Sequence, residues 1–444
     1  MIRFVSIFQL SLVLPPAFGV AGLSVAEPEG GGGARLAALA DVAARAEKHE
    51  SLSIVFLGGS LTWGANASDP NRTSWRGLMM QWLRDTHPKT PFTFHDAAIG
   101  GTGSDLALFR LKRDVLAHKP DVVFLDFTLN DGRLDGSPAD DIRLSTYERL
   151  LREILSSGSA VVPVLMCAHH ELATDADTPL SGRYREHLGL LSAYGIQPVD
   201  TRSRVRNAII ERNLRPEELY PIGGDKTHPG DAGYGLFFDA IRETWLATVS
   251  SQARVRMPSA PVYKDRFAQF SRHVLTNTEK TLPSGWRREK TWRISMWFDG
   301  LSSRWMGDVA CASLRDASAS VEPLEVPFRG SFVALFGERN RSTPPFRVWI
   351  DGRPLSRPGS KTADACLWNI DTRRFSASGN LFAWTVLSST LSDGEHTLKI
   401  LPDFSEAPLE AELRIESICA AGCPPSPPPP ARTETLNPNN HDEE

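Results

Sequence analysis

A serine, a histidine and an aspartate stand in settings from which they could act together. "GGSLTWG" places Ser60 at the exit of the apolar run Ile54–Leu57, directly after Gly58 and Gly59. A serine hydroxyl is a weak nucleophile alone. It needs a base, a group that orients the base, and donors for a developing oxyanion. "DKTHPG" supplies His228, with Asp225 three residues before it. In a loop entering a helix, that spacing lets the carboxylate reach one ring nitrogen while the other faces the serine. This is the chemistry of nucleophilic acyl transfer. Pro229 suits the start of the helix that follows. The plain alternative is a capping aspartate beside an incidental histidine.

Two further blocks offer donors. "AAIGGTGS" contains Gly101, whose backbone N–H can approach a substrate because no side chain stands in the way. "TLND" contains Asn130, whose amide can donate a second hydrogen bond. With the Ser60 N–H these make three donors for one oxyanion. Taken singly, Gly101 could be a turn glycine and Asn130 a turn or N-cap residue. The weight lies in the set, because each block falls at a strand exit or at the last helix.

The elements that must position these blocks alternate. Continuous apolar runs predict strands at Ser53–Leu57, Phe92–Asp96, Val122–Phe127, Ala160–Met166 and Gln197–Asp200. Helical patterns lie at Ala34–Lys48, Ser74–Asp85, Asp105–His118, Ala139–Ser156, Leu180–Tyr194 and Asp231–Thr248. The alternation predicts a parallel sheet with helices on both faces, and ligands at the carboxyl ends of its strands. After Ser250 the character changes. "FVALFG", "FRVWIDGRPL", "LFAWTVLSSTL", "GEHTLKILP" and "LRIESICAAG" alternate apolar and polar residues, and Asp351-Gly352 and Asp393-Gly394 are hairpin-type turns. They predict a β-sandwich.

The four blocks resemble those of the SGNH hydrolases, the broad GDSL esterase family, over roughly residues 51–250. The nucleophile block matches at Ser60, the glycine block at Gly101 with Gly100 as runner-up, the Asn block at Asn130 and the Asp-x-x-His block at Asp225 and His228. The resemblance implies a flavodoxin-like three-layer αβα fold and ester hydrolysis without metal or cofactor. Two departures stand out. The usual Gly-Asp-Ser is Gly58-Gly59-Ser60, similar to a Gly-Gly-Ser subgroup, and Asp96 stands where many members carry Asn.

The expected organisation is a signal peptide at 1–26, a linker and helix at 27–50, the SGNH domain at 51–250, a connecting segment of open assignment at 251–327, a jelly-roll-like β-sandwich at 328–422 and a disordered Pro-rich tail at 423–444. Arg3, the apolar stretch and the small residues Ser24 and Ala26 predict export to the periplasm or medium, with no stable membrane insertion after cleavage. A formal net charge of −4 is too weak and too mixed to indicate a nucleic-acid or polyanion binder, and no nucleic-acid partner is expected. The odd count of five cysteines leaves pairing and oligomeric state open, and no metal-ligand spacing is visible. Trp63, His169 and His170 are candidate substrate contacts, with Trp75 and Tyr184 as further cleft-lining candidates; ordinary packing is the alternative for each tryptophan. Trp349, Trp368 or Trp384 could bind glycan from the sandwich, or the sandwich could only cover a hydrophobic flank. The expected activity is hydrolysis of a carboxylic ester, acetyl above all, on a small molecule or polysaccharide. The rivals are a glycan O-acyltransferase and a non-catalytic carbohydrate-binding protein with a relic site.

Overall fold

A computed structural model describes residues 36–132, 141–172, 183–277, 281–293, 304–315, 320–357, 366–369 and 379–423. The expected signal peptide and Pro-rich tail lie outside these residues, apart from Cys423. Helix α1 (Leu39–Glu47) precedes β1 (Leu52–Gly58), the single turn α2 (Ser60–Trp63) and α3 (Trp75–Thr86). Then follow β2 (Phe92–Ala98), α4 (Ser104–Asp114), β3 (Val122–Asp126), α5 (Ile142–Ser156), β4 (Ala160–Leu165), α6 (Tyr184–Ala193), β5 (Val199–Asp200), α7 (Thr201–Arg212), α8 (Pro216–Leu219) and α9 (Asp231–Ser251). The five strands form one parallel sheet in the order β2-β1-β3-β4-β5.

The strands are apolar throughout because both faces are covered. Ile54, Phe56, Val122 and Phe124 point to one core with Trp75, Phe237 and Trp245. Val55, Leu57, Val123 and Leu125 point to the other, with Leu106, Leu150 and Leu190. Phe56 stacks on Phe124 at 5.0 Å and meets the Trp75 ring edge-on at 5.5 Å. Strand order reverses direction between β1 and β3, so the loops leaving these two strands flank a crevice at the carboxyl edge. Ser60 follows β1 and Asn130 follows β3.

Two antiparallel sheets follow. One contains β6 (Gln269–Val274), β7 (Trp286–Glu289), β8 (Val309–Ser313), β10 (Phe332–Arg339), β14 (Leu381–Ser388) and β16 (Glu412–Gly422). The other contains β9 (Leu324–Arg329), β11 (Phe346–Ile350), β12 (Arg353–Pro354), β13 (Leu367–Trp368) and β15 (Glu395–Pro402). Strand alternation divides the labour of β10. Val333 and Leu335 enter the core between the sheets, whereas Phe332, Ala334 and Phe336 join the core beneath α4 and α5. Phe109 of α4 stacks on Phe332 at 5.7 Å. The second module thus covers a hydrophobic flank of the first.

Several expectations need correction. The segment at 251–327, whose assignment was open, contributes β6, β7 and β8 to the first antiparallel sheet. Their sequences, QFSRHV and WRRE among them, carry arginines that obscure the alternation; Arg272 pairs with Glu416 at 2.8 Å and Arg287 with Glu412 at 2.9 Å. Helix α7 was not expected, since TRSRVRNAIIER has little apolar periodicity; Asp200 caps it by accepting from Ser203 N–H at 3.0 Å. The first helix begins at Leu39 rather than Ala34. Trp368 and Trp384 are packing residues. Trp368 is buried and donates to Leu355 O at 2.8 Å, and Trp384 packs on Phe109 at 5.7 Å. Trp349 is half-buried, with the Lys399 ammonium 5.6 Å from its ring centre.

Candidate active site

Ser60 opens the one-turn helix α2, whose first-turn N–H groups lack intrahelical acceptors. The two glycines before it are there for space. A Cβ on Gly58 would lie 2.2 Å from Thr62 Oγ1, and one on Gly59 would lie 2.2 Å from Asn130 Oδ1. The missing acid of the nucleophile block is therefore the price of a close approach by Asn130. Beneath the turn, Thr62 donates to the buried Asp126 carboxylate at 2.9 Å. Burial pushes that carboxyl up to about 7, against the hydrogen bonds from Thr62 and Thr128.

The structure brings three of the candidate residues into one chain. Ser60 Oγ lies 2.7 Å from His228 Nε2, and His228 Nδ1 lies 2.7 Å from Asp225 Oδ2. With Nδ1–H donating to the carboxylate, Nε2 is left to accept the serine proton. The other oxygen, Asp225 Oδ1, accepts the backbone N–H groups of Thr227 at 3.0 Å and His228 at 3.1 Å. Burial alone would raise the Asp225 carboxyl. The bonds from the His228 ring and from the two N–H groups outweigh it and hold the carboxyl below its usual range.

A residue missed in the sequence ties the two loops together. Asn66 adopts a left-handed backbone, φ 70°, and its amide donates at 3.1 Å both to Asp225 Oδ2 and to the His228 carbonyl. Asparagine tolerates that conformation better than most residues, so "GANAS" held the only signal. Tyr234 of α9 adds a bond from its hydroxyl to Ala65 O at 2.7 Å. Asp231 accepts from Ser68 Oγ at 2.6 Å and Thr73 Oγ1 at 2.8 Å. The loop after Ser60 is thereby fastened to the start of the helix that follows His228.

The donor candidates sit on the neighbouring strand exits. Ile99 N–H donates to Gly58 O at 3.0 Å, which carries the glycine block alongside the nucleophile turn. Gly101 is exposed with φ 75°, a conformation that favours glycine although a side chain would meet nothing within 4 Å. A buried polar cluster holds the two donor loops. Asp131 Oδ1 accepts Ser104 N–H at 2.8 Å, Arg143 donates to Asn130 O at 2.5 Å, and Arg143 Nε lies 3.3 Å from Asp105 Oδ1. The second module closes this cluster, for Trp384 Nε1 donates to Asp105 Oδ2 at 2.8 Å. Asp96, the other departure, pairs with Arg304 at 3.3 Å and Arg76 at 3.5 Å, so it too serves the junction between modules.

The remaining candidates divide. Trp63 is half-buried in the nucleophile turn. His169 packs edge-on against Tyr220 at 5.6 Å, and its N–H donates to Lys226 O at 2.9 Å, beside the histidine loop. His170 is exposed. Trp75 is a fully buried core residue that donates to Leu61 O at 3.0 Å, and Tyr184 is half-buried and packs against the core under α4 and α5. Cys167 is a buried thiol pushed up to about 12, chiefly by burial. Among the described residues, no three His, Cys, Asp or Glu side chains gather as a metal site requires, and no helix is long and apolar enough to cross a membrane.

Comparison with known proteins now bears on this geometry. Residues 56–236 match the model of the GDSL-like Lipase/Acylhydrolase family. Two solved structures of a two-domain esterase (CEX) active on acetylated mannans share the fold over both modules. The one co-crystallised with mannopentaose has a TM-score of 0.66 at 20% identity, covering 87% of this chain and 96% of that one. The other has a TM-score of 0.67 at 20% identity, covering 86% and 95%. No curated protein matches the chain. The parallel sheet agrees with the match to the GDSL-like Lipase/Acylhydrolase family over residues 56–236, and an antiparallel β module follows it.

Proposed function

We propose that the protein is an exported serine esterase that removes acetyl groups from a polysaccharide, with acetylated mannan the first substrate to test. The observation that carries the reading is the Ser60–His228–Asp225 chain, with both links at 2.7 Å, at the switch point of the sheet. His228 takes the Ser60 proton as Oγ attacks the ester carbonyl. The oxyanion is met by the N–H groups of Ser60 and Gly101 and by the Asn130 amide. His228 passes its proton to the leaving sugar hydroxyl, then activates water to release acetate. Asp225 holds the imidazole tautomer and stabilises the imidazolium. The mannan assignment is supported by the end-to-end fold shared with an esterase active on acetylated mannans. Export rests on residues 1–26.

The test is acetate release from acetylated mannan, acetylated xylan and p-nitrophenyl acetate, beside Ser60→Ala. Release that disappears in the variant and is fastest on mannan is expected. Equal, near-zero rates for both proteins on every ester would overturn the esterase reading. Acetyl transfer to an added sugar in preference to water would replace hydrolysis by acyl transfer.

A further inference from the structure

The turn that carries Ser60 is a helix of only four residues, α2, and so short a helix does not hold itself. Gly64 N–H and Ala65 N–H both donate to Ser60 O, at 2.9 and 3.0 Å. The next three carbonyls lie at the helix end, where intrahelical donors run out. All three accept from side chains that open α3. The Trp75 indole donates to Leu61 O at 3.0 Å, Arg76 Nε to Thr62 O at 3.3 Å and Arg76 Nη2 to Trp63 O at 3.2 Å. The two helices meet closely enough for this because a Cβ on Gly64, which would stand 2.6 Å from Ser74 Cβ, is missing.

Arg76 is itself held. Its side chain is 5% exposed, with Asn71 Oδ1 at 3.3 Å and Asp96 Oδ2 at 3.5 Å from Nη2. Arg304 faces the same Asp96 carboxylate at 3.3 Å. Burial depresses the Arg76 guanidinium, and Asp96 opposes that. Burying a cation is costly, and a well-packed apolar side chain often serves a core equally well. What arginine alone supplies is a planar fork whose two nitrogens reach successive carbonyls at once. Here those carbonyls belong to the nucleophile turn. The bonds end on the backbone of residues 61–63, not on the Ser60–His228–Asp225 chain itself.

We infer that Arg76, with Trp75 beside it, is a positioning residue for the nucleophile: the two side chains hold α2 in place and so fix where Ser60 Oγ and the Ser60 N–H point. The inference rests on the reading of Ser60 as the nucleophile of an esterase. Loosening the turn should slow attack by Ser60 in protein that is still folded.

The experiment compares the full chain with Arg76→Met, Arg76→Lys, Trp75→Phe and Ser60→Ala, each assayed well below its Tm. Two rates are recorded: kcat/KM on p-nitrophenyl acetate, and labelling of Ser60 by an activated phosphonate ester. Arg76→Met should lose about 10²-fold in both, as a misplaced reacting group does. Arg76→Lys keeps the charge without the fork and should fall between Arg76→Met and the parent. Trp75→Phe keeps the ring without the N–H and should lose roughly tenfold in both. Trp368→Phe is the control. It removes an indole bond to Leu355 O, 2.8 Å long, in the second module, and should lower Tm without slowing either rate. Arg76→Lys and Trp75→Phe decide the matter if Arg76→Met fails to fold. Ser60-dependent turnover and labelling that both of these leave as fast as in the parent, whatever their Tm, would overturn this inference alone. Turnover that is absent from the parent, or that survives in Ser60→Ala, would overturn the reading of Ser60 and this inference with it.

Discussion

Gly59→Ala tests how the nucleophile turn and the Asn130 amide share space. The new methyl would stand 2.2 Å from Asn130 Oδ1, whereas real Cβ contacts are essentially never under 3.0 Å. The asparagine must therefore retreat by about 1 Å, and displacements of that size cost ~10²-fold in a positioned site. If the retreat removes its hydrogen bond to the oxyanion, kcat should fall about 10²–10³-fold, or roughly 3–4 kcal/mol of transition-state stabilisation. KM should change little, because the bond forms only as negative charge develops. The assay is steady-state hydrolysis of p-nitrophenyl acetate by protein whose circular dichroism matches the parent. Asn130→Ala should be similarly slow. The double variant should be no slower than Asn130→Ala alone, since removing the amide removes the clash. Gly59→Asp should also be inactive, although it recreates the more usual Gly-Asp-Ser. Full activity in Gly59→Ala, or a double variant whose losses add, would refute the reasoning.

Asp225→Asn should lower kcat about 10⁴-fold by releasing the imidazole tautomer, while a serine-directed inhibitor reacts correspondingly slowly. Asn66→Ala should cost ~10-fold in kcat by freeing the two loops it joins, with KM nearly unchanged. Trp384→Phe keeps the ring but strips Asp105 Oδ2 of its donor, and denaturant titration should show about 1–3 kcal/mol lost. Asp126→Asn tests the buried carboxyl, whose folded pKa is raised to about 7. Between the unfolded value near 4 and that point, the folded state holds more protons than the unfolded one, so this group's contribution to stability declines as pH rises. The stability of Asp126→Asn relative to the parent should grow from about pH 4 to pH 7 and then level off; a difference independent of pH would contradict the assignment.

The parallel sheet was legible because strands buried on both faces leave continuous apolar runs, as in Ile54–Leu57 and Val122–Leu125. The blocks around Ser60, Gly101, Asn130 and His228 were legible because turn glycines and short polar motifs mark strand exits. Asn66 was not, since an asparagine in a loop looks alike whether it faces solvent or a catalytic carboxylate. Strands β6 and β7 escaped because arginines paired with Glu416 and Glu412 break the alternation. The sandwich tryptophans stayed open between glycan binding and packing for a related reason: the partner of Trp384 across the module boundary, Asp105, leaves no mark on the sequence around it. Contacts between residues 279 positions apart leave no local pattern.

Covalent trapping tests the central claim most directly. The full chain and Ser60→Ala would be treated with an activated phosphonate ester, then intact masses and peptide maps recorded. A single adduct on Ser60, formed in step with loss of acetate release and absent from Ser60→Ala, is the expected result. An inactivated parent whose adduct lies elsewhere, or equal labelling of both proteins, would contradict the assignment of Ser60 as the nucleophile.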